Sequence, residues 1–537
     1  MNHEHWSPCI AVAMVVSFAA TPFVSSARAQ DAAMAPVVVE QSTTATDDSE
    51  QSIELSLPRA VEMALANNLD VVVSRLDTQV QAEGVASARG VYRPMVSASL
   101  NNFDSRSPAT TQLVGADTLQ STRQTYDLSW QQALGTGAQY SVSWQNFRST
   151  TNSRFSGFNP LFDTALSAQI TQPLMANFRN DPNRQRIIVA QNGERVSRHR
   201  FEIQVMDTVR DVELAYWDLV FSISGLEVAR QSLQLAQDLL RNNRIQVEVG
   251  TMAPIDVLEA EAEVAAREES VILAEEAIRL NEDSLKRLVN DPDSDEFWSH
   301  RFVPVDQPSM DEIQVDLDEA VRVALSRRPI LSASRVELET RDYNVRFRRN
   351  QMMPSVDLVG QFALNGLGGT ELLREGFAGE TTAVIPGGYS DALGQAFGGD
   401  FRDWSLGLNV SYPIGNSAAA AAHAQAQVSA QQQRAQIDSN EILIAQEVRQ
   451  AGRAVDTNRK RIDATRVARE LAERRLEAEQ KKFEVGMSTS FMIVQAQRDL
   501  SQAAANELRA IIDYNKAIAA FERAKGTILD RSNVGVR

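Results

Sequence analysis

A single cysteine, Cys9, stands among 537 residues, and it lies inside an apolar N-terminal stretch that runs to Phe23. Beyond that stretch the chain has no thiol, which excludes a disulfide framework and any cysteine metal site. Histidine is nearly as scarce. His199, His300 and His423 are the only ones beyond His3 and His5, and none has ligand spacing to another. Aromatics make up 6% of the chain, a composition that favours long helices over a compact aromatic core. Cations are outnumbered, with 53 Lys and Arg against 70 Asp and Glu and a net charge of −17. Such a chain is a poor partner for nucleic acid, whose phosphates call for Lys and Arg. After Phe23 no apolar run reaches the length of a membrane-spanning helix. A β-barrel remains open, because closed strands satisfy one another's backbone groups in lipid.

Chemistry is missing too. No G-x-S-x-G turn appears, and "GLGG" at 366–369 lacks the strand–loop–helix setting of a phosphate loop. Met352 and Met353, beside a strand start, read as packing residues rather than copper ligands. We expect no enzyme, no cofactor and no metal centre.

What is present begins with an export signal. The apolar stretch is followed by Ala27-Arg28-Ala29, an A-x-A cleavage pattern, although Lys and Arg are missing ahead of it. Cys9 lacks the small residues that precede a lipidated cysteine, so no lipid anchor is expected. Residues 31–54 are polar and of low complexity and read as a flexible lead-in.

The body of the chain repeats itself. "LPRAVEMALANNLDVVVSRLD" (57–77) matches "LDEAVRVALSRRPILSASRVE" (317–337) at an offset of 260, and the match persists to Pro94 and Pro354. "SAQITQPLMANF" (167–178) resembles "GLNVSYPIGNSA" (407–418), pairing Pro173 with Pro413. "VEVGTMAPIDVLEAE" (247–261) returns 236 residues later as "FEVGMSTSFMIVQAQ". Four landmarks in the same order indicate a tandem duplication.

In each half a short helix pair is followed by alternating segments. "YDLSW" (126–130), "YSVSW" (140–144), "LSAQI" (166–170) and "WSLGLNVSY" (404–412) put aromatic and aliphatic residues on one face and small polar ones on the other. That period is a half-covered strand, in a sandwich or in a lipid-facing barrel. Candidate strands in the first half run at about 95–103, 124–134, 138–148 and 164–173, with "GTG" (135–137) as a tight turn. Polar or Gly-rich stretches at 101–123, 149–163 and 365–401 read as long loops.

Long helical patterns follow. About 183–247 and 417–485 are free of proline, with apolar residues spaced by three, four or seven: Phe201 to Leu240 in the first, Ile437 to Ile462 in the second. Return helices run over about 255–290 and 491–526, the latter with Leu500, Ala504, Ile511, Tyr514, Ile518 and Phe521 as its stripe. Each Val-Gly break is therefore the tip of an antiparallel helix hairpin, with Gly250 and Gly486 ending one helix and Pro254 opening the next. Residues 255–285 are acidic and 459–482 net basic, so these helices could lie side by side, although solvated pairs contribute little.

These residues resemble the outer-membrane efflux protein family, the TolC-like channel-tunnels. The carrying motifs are the "LxxAVxxALxxN" opening (Leu57 to Asn67), Pro94 and Pro354, "QPL" (172–174), "ELAYWDLV" (213–220) and the two Val-Gly tips. The resemblance implies a mainly α fold with a membrane β-barrel: a duplicated strand block plus long coiled-coil hairpin, in a trimeric α/β channel-tunnel. It further implies a homotrimer in outer-membrane lipid, with helices in the periplasm. Its partners would be a periplasmic adaptor (membrane fusion) protein and an inner-membrane pump or ABC transporter. The function implied is the exit duct of a tripartite efflux or type I secretion system. The competing reading is a structural or adhesive coiled-coil protein without transport, which would not need two matching strand blocks.

The expected segments are a signal peptide (1–29), a flexible segment (30–54), short helices (55–94), strands and outer loops (95–175), a long hairpin (176–290) and a linker (291–315). The second repeat gives short helices (316–354), strands (355–415), a hairpin (416–528) and a tail (529–537). The tip residues expected to serve gating and adaptor docking are Val249, Gly250, Asp256, Glu259, Phe483, Val485, Gly486, Ser488 and Met492. Asp256, Glu259 and Glu263 share one helix face by spacing. Two departures from the family stand out. The first half offers four strands where two are usual, so either the barrel is larger or one hairpin lies outside it. At the second tip, Ser488, Met492 and Gln495 replace the Arg and the two Asp of the well-known TolC pattern. The signal reading predicts a mature chain beginning at Gln30, checked by intact mass; a retained Met1 would overturn it.

Overall fold

The computed structural model describes residues 52–110, 114–290, 297–376, 379–412, 414–415 and 417–532. The export signal with Cys9, most of the lead-in, Pro413 and residues 533–537 lie outside these. The first repeat comprises β1 (Ser52–Leu55), α1 (Leu57–Asn67), α2 (Leu69–Arg89), β2 (Met95–Pro108), β3 (Thr118–Ala133), β4 (Gln139–Thr151), β5 (Phe158–Pro173), α3 (Pro182–Glu248) and α4 (Pro254–Val289). After β6 (Arg301–Pro304) the second repeat gives α5 (Leu317–Arg327), α6 (Pro329–Asn350), β7 (Ser355–Arg374), β8 (Thr381–Ile385), α7 (Tyr389–Gly398), β9 (Phe401–Ser411), α8 (Ser417–Glu484), α9 (Ser490–Lys525) and α10 (Ile528–Arg531).

Alternation in single strands becomes a surface once the register is known. The sheet runs β2-β3-β4-β5-β7-β9, every neighbour antiparallel, with β8 pairing only the far end of β7. One row across it reads Val96, Trp130, Val142, Ala168, Phe362, Trp404, and another on the same face reads Ala98, Leu128, Trp144, Leu166, Leu364, Arg402. The row between them, on the opposite face, reads Ser97, Ser129, Ser143, Ser167, Ala363, Asp403. A slip of one residue in any strand would exchange the faces. One side is thus a contiguous apolar belt that stays open, with Trp404 74% and Leu406 67% exposed. An apolar patch of that extent does not suit water. All six long strands lie in the sheet, including the β3–β4 hairpin.

Three expectations need correction. The stretches read as long loops are mostly ordered: β2 and β3 extend to Pro108 and from Thr118, β4 and β5 leave 152–157 between them, and 365–401 holds the end of β7, β8 and α7. Polar strand ends pair as well as apolar ones, because the ladder uses backbone groups. α7 packs on the apolar face where Gly366 and Gly368 leave room. A Cβ there would come within 1.9 Å of the Ala392 carbonyl oxygen and 2.4 Å of the Gly388 carbonyl oxygen. Secondly, the lead-in and the linker meet, since β1 pairs in parallel with β6. Phe297 and Phe302 are buried beside Leu55. Thirdly, acidic α4 and basic α8 are not neighbours within one chain. α4 packs on α3, α3 on α9 and α9 on α8, which leaves α4 and α8 at opposite ends of the layer.

Each repeat has its own core where a short helix meets the long ones. Ala60, Val61 and Ala64 of α1 pack with Val209, Val212, Tyr216 and Leu219 of α3 and Leu285 of α4. Ala320 and Ala324 of α5 pack with Ile444, Val448 and Val455 of α8 and Tyr514, Ile518 and Phe521 of α9. Tyr216 is fully buried. Its hydroxyl lies 3.0 Å from the Leu55 carbonyl and 2.9 Å from the Asp306 carboxylate, and it accepts the Asp306 N–H at 3.1 Å. Burial and the neighbouring carboxylate push the phenol well above its usual range, so it stays protonated. Tyr216→Phe leaves these buried partners short of a hydrogen bond. We expect a loss of about 1–3 kcal/mol, seen as a lower denaturant midpoint, with β1 and β6 exchanging amide hydrogens faster.

Candidate functional site at the helix tips

Both hairpin tips use one turn. After α3, Gly250 sits at φ +80°; its N–H donates to the Val247 carbonyl at 3.0 Å and that of Thr251 to Gln246 at 2.9 Å. After α8, Gly486 sits at φ +74°; its N–H donates to Phe483 at 3.0 Å and that of Met487 to Lys482 at 2.7 Å. These two bonds, C″ to C3 and C′ to C2, are the Schellman closure. They recur at the offset of 236. Among the described residues nothing lies within 4 Å of where a Cβ would stand on either glycine, so glycine is needed here for its backbone and not for space. Pro254 opens α4 in the position that asks for no N–H donor.

Around these turns the predicted residues scatter. Val249 and Val485 are 67% and 70% exposed, and Met492 is 45% exposed. Asp256, half-buried, lies in the first turn of α4, where the helix dipole favours a carboxylate. Glu259 is exposed. Phe483 packs against Leu239, Leu476, Ile493, Val494 and Ala496, a small cluster that joins the two hairpins. Ser488 donates to Glu479 at 2.8 Å, and Lys482 donates to the same carboxylate at 2.6 Å. Lys482 and then Ser488 hold that carboxyl below its ordinary value. Where the TolC pattern has an arginine, this tip folds its serine back onto α8.

The polar groups that link the hairpins were not among the expected residues. Asn243 of α3, wholly buried, donates to the Ser490 hydroxyl at 2.7 Å and to the Asp256 carbonyl at 3.2 Å. Gln497 of α9 donates to the Leu235 carbonyl at 3.1 Å. Arg498 of α9 reaches Glu263 of α4 with Nε at 3.0 Å and Nη2 at 2.5 Å, while Arg267 takes its other oxygen at 2.8 Å. Glu263 is 3% exposed. Although its spacing sets it on one helix face with Asp256 and Glu259, it turns inward to Arg498 while Glu259 stays exposed. Burial opposes its charge, yet the Arg498 and Arg267 guanidiniums outweigh burial and hold the carboxyl below its usual range. The legible signal for Asn243 was a polar residue seven positions beyond Ala236, in line with Leu239, in an otherwise apolar seam. A polar residue at such a position specifies register.

Two outcomes follow from this geometry. Valine at Gly250 and Gly486 forces a β-branched residue into a left-handed backbone, at about 1–2 kcal/mol each. Limited proteolysis should then cut both tips faster, with Asn substitutions less affected. The Glu263 clasp contributes stability above the unfolded carboxylate pKa, and loses it as pH falls through the lower folded value. Relative to the intrinsic exchange rate at each pH, protection over 490–500 should fall on acidification in the native chain. Glu263→Gln should start less protected and lose that dependence; an unchanged pH response would show that the clasp is not coupled to the tip.

Comparison with known proteins agrees with the fold. The model of the family "Outer membrane efflux protein" matches residues 60–291 and 320–527. The outer membrane efflux protein BepC of Brucella suis biovar 1 is 20% identical over 451 residues, covering 83% of this chain and 79% of BepC. The outer membrane channel CmeC of Campylobacter jejuni superposes with a TM-score of 0.63 at 15% identity, over 88% of this chain and 86% of CmeC. VceC of Vibrio cholerae gives 0.62 at 14% identity, over 88% and 96%. With repeats, sheet and paired hairpins matched over most of its length, the chain belongs to the outer membrane efflux protein family.

Proposed function

We propose that this outer-membrane efflux protein works as a homotrimeric exit duct, closed at its periplasmic helix tips and opened when a periplasmic adaptor and an inner-membrane pump or ABC transporter engage them. The observation that carries the reading is one chain holding both an open-edged sheet with an apolar belt and two helix hairpins. At 1.5 Å per residue α3 and α8 reach about 100 Å, far beyond any membrane. Among the described residues the sheet has unpaired edges at β2 and β9, and lipid does not tolerate such edges. The helix layer supports the same assembly. Its ends, α4 and α8, carry exposed apolar residues, Ile272, Leu273 and Leu280 on one and Val467 and Leu471 on the other. Acidic α4 of one copy then meets basic α8 of the next, as heterologous contacts in a closed ring require.

The tip residues take roles in this reading. Gly250 and Gly486 shape the turns that an adaptor caps, and Val249, Val485 and Met492 offer it exposed apolar contact. Phe483 keeps the hairpins together and Ser488 pins the second tip. Asp256 and Glu259 repeat three times around the axis and draw cations towards the closed end.

Deleting the gene should abolish export of the cognate cargo, and the native chain should restore it. Mass measurement in mild detergent should give three copies. Reversal potential across a planar bilayer at low salt, where screening is weakest, should show cation preference that falls in Asp256→Asn, Glu259→Gln. Unchanged selectivity would remove these carboxylates from the duct.

A further inference from the structure

We propose that each copy gives six strands to the shared barrel, closing eighteen strands, with β9 of one copy pairing β2 of the next and Val410 facing Leu100. The inference rests on the trimeric reading above and concerns what that trimer builds in the membrane.

The β3–β4 hairpin is the deciding element. It pairs with β2 along the whole of that strand, from Met95 opposite Gln131 to Pro108 opposite Thr118. It pairs with β5 from Gln139 opposite Thr171 to Ser149 opposite Leu161. Its outward residues, Tyr126, Leu128 and Trp130 on β3 and Tyr140, Val142 and Trp144 on β4, continue the belt across the sheet. Taking the hairpin out of the wall would open two complete ladders and strand its aromatic face in water. Each unsatisfied backbone group in hydrocarbon costs several kcal/mol, so the hairpin belongs in the wall.

The outer edges fit each other. Every residue of β2 and β9 is exposed. An even number of antiparallel strands makes β2 and β9 run in opposite directions, so copies placed side by side continue the antiparallel pattern. The register comes from the internal repeat. Within the chain, β5 of the first repeat meets β7 of the second, with Ile170 opposite Gly360 and Gln172 opposite Leu358. Pro173 corresponds to Pro413 and Pro354 to Pro94 in the duplication. The same junction between copies therefore sets Val410 opposite Leu100 and Tyr412 opposite Ala98, apolar residues on the belt face of both strands.

Width follows from strand number. With strands about 4.8 Å apart and tilted about 40°, eighteen strands give a backbone diameter of about 36 Å, and twelve give about 24 Å. The wall facing inward is lined by the serine row and by Asp127, Gln145, Gln169, Gln361 and Asp403, a hydrated surface. The outer-membrane section is then no constriction, and passage is limited at the tips.

The test uses the full-length protein in outer membranes. Leu100→Cys with Val410→Cys has no native cysteine to confuse it beyond Cys9 in the export signal. Oxidation should yield covalent dimers and trimers in denaturing gels, and neither single variant should. In a Trp404→Phe variant reconstituted with brominated phospholipid, the fluorescence from Trp130 and Trp144 should be quenched, as that of lipid-facing residues is, while the share from Trp217 and Trp298, outside the sheet, persists. A detergent-stable trimer lacking either the cross-link or the quenching overturns the eighteen-strand closure and leaves the trimeric duct standing. A protein that is not trimeric overturns both.

Discussion

The ladder between β5 and β7 is the joint on which the molecule depends. It runs from Phe158 opposite Glu371 to Pro173 opposite Asp357 and is the place where the two repeats become one sheet. Below it, the same adjacency continues as α3 against α9. Fixing this pair in the middle forces β2, β9, α4 and α8 to the outside. Those are the elements that carry unpaired backbone groups, exposed apolar side chains and opposite charge. A chain joined in this way is complete in its centre and incomplete at its margins.

A second constraint comes from length. Two helices of 67 and 68 residues turn small errors in register near the sheet into large displacements at the tips. Apolar seams alone are permissive about register, since leucine and alanine accept several neighbours. The chain answers with buried polar groups close to the far end: Asn243 against Ser490, and Glu263 between Arg498 and Arg267. Compared with well-packed apolar residues such groups gain little, because desolvation offsets much of their attraction. They do penalise every other register, in which they would be buried without partners. Rigidity is thereby placed just behind the turns, and the turns themselves stay exposed.

Much of this was legible beforehand. The duplication, the two strand blocks and the four long helices follow from periods of two and three-to-four and from prolines and glycines at their ends. The tips were legible because glycine after a helical stripe has few other uses. The linkers were harder: β1 and β6 are short, pair with each other across 249 residues, and have no periodicity to show. The polar stretches beyond the belt were read as loops because hydrophobic pattern fades where neither face meets lipid, while the backbone ladder continues.

By itself the sequence determined which residues share a face, where each helix ends and that the pattern occurs twice, because these depend on neighbours a few positions away. Only the tertiary structure decided that Glu263 turns inward to Arg498 while Glu259, four positions earlier, stays in solvent. It alone kept acidic α4 and basic α8 apart and set the β3–β4 hairpin inside the sheet. Those outcomes depend on which elements lie side by side, and side-by-side placement is settled by the β5–β7 ladder, whose partners are some 200 residues apart in the chain.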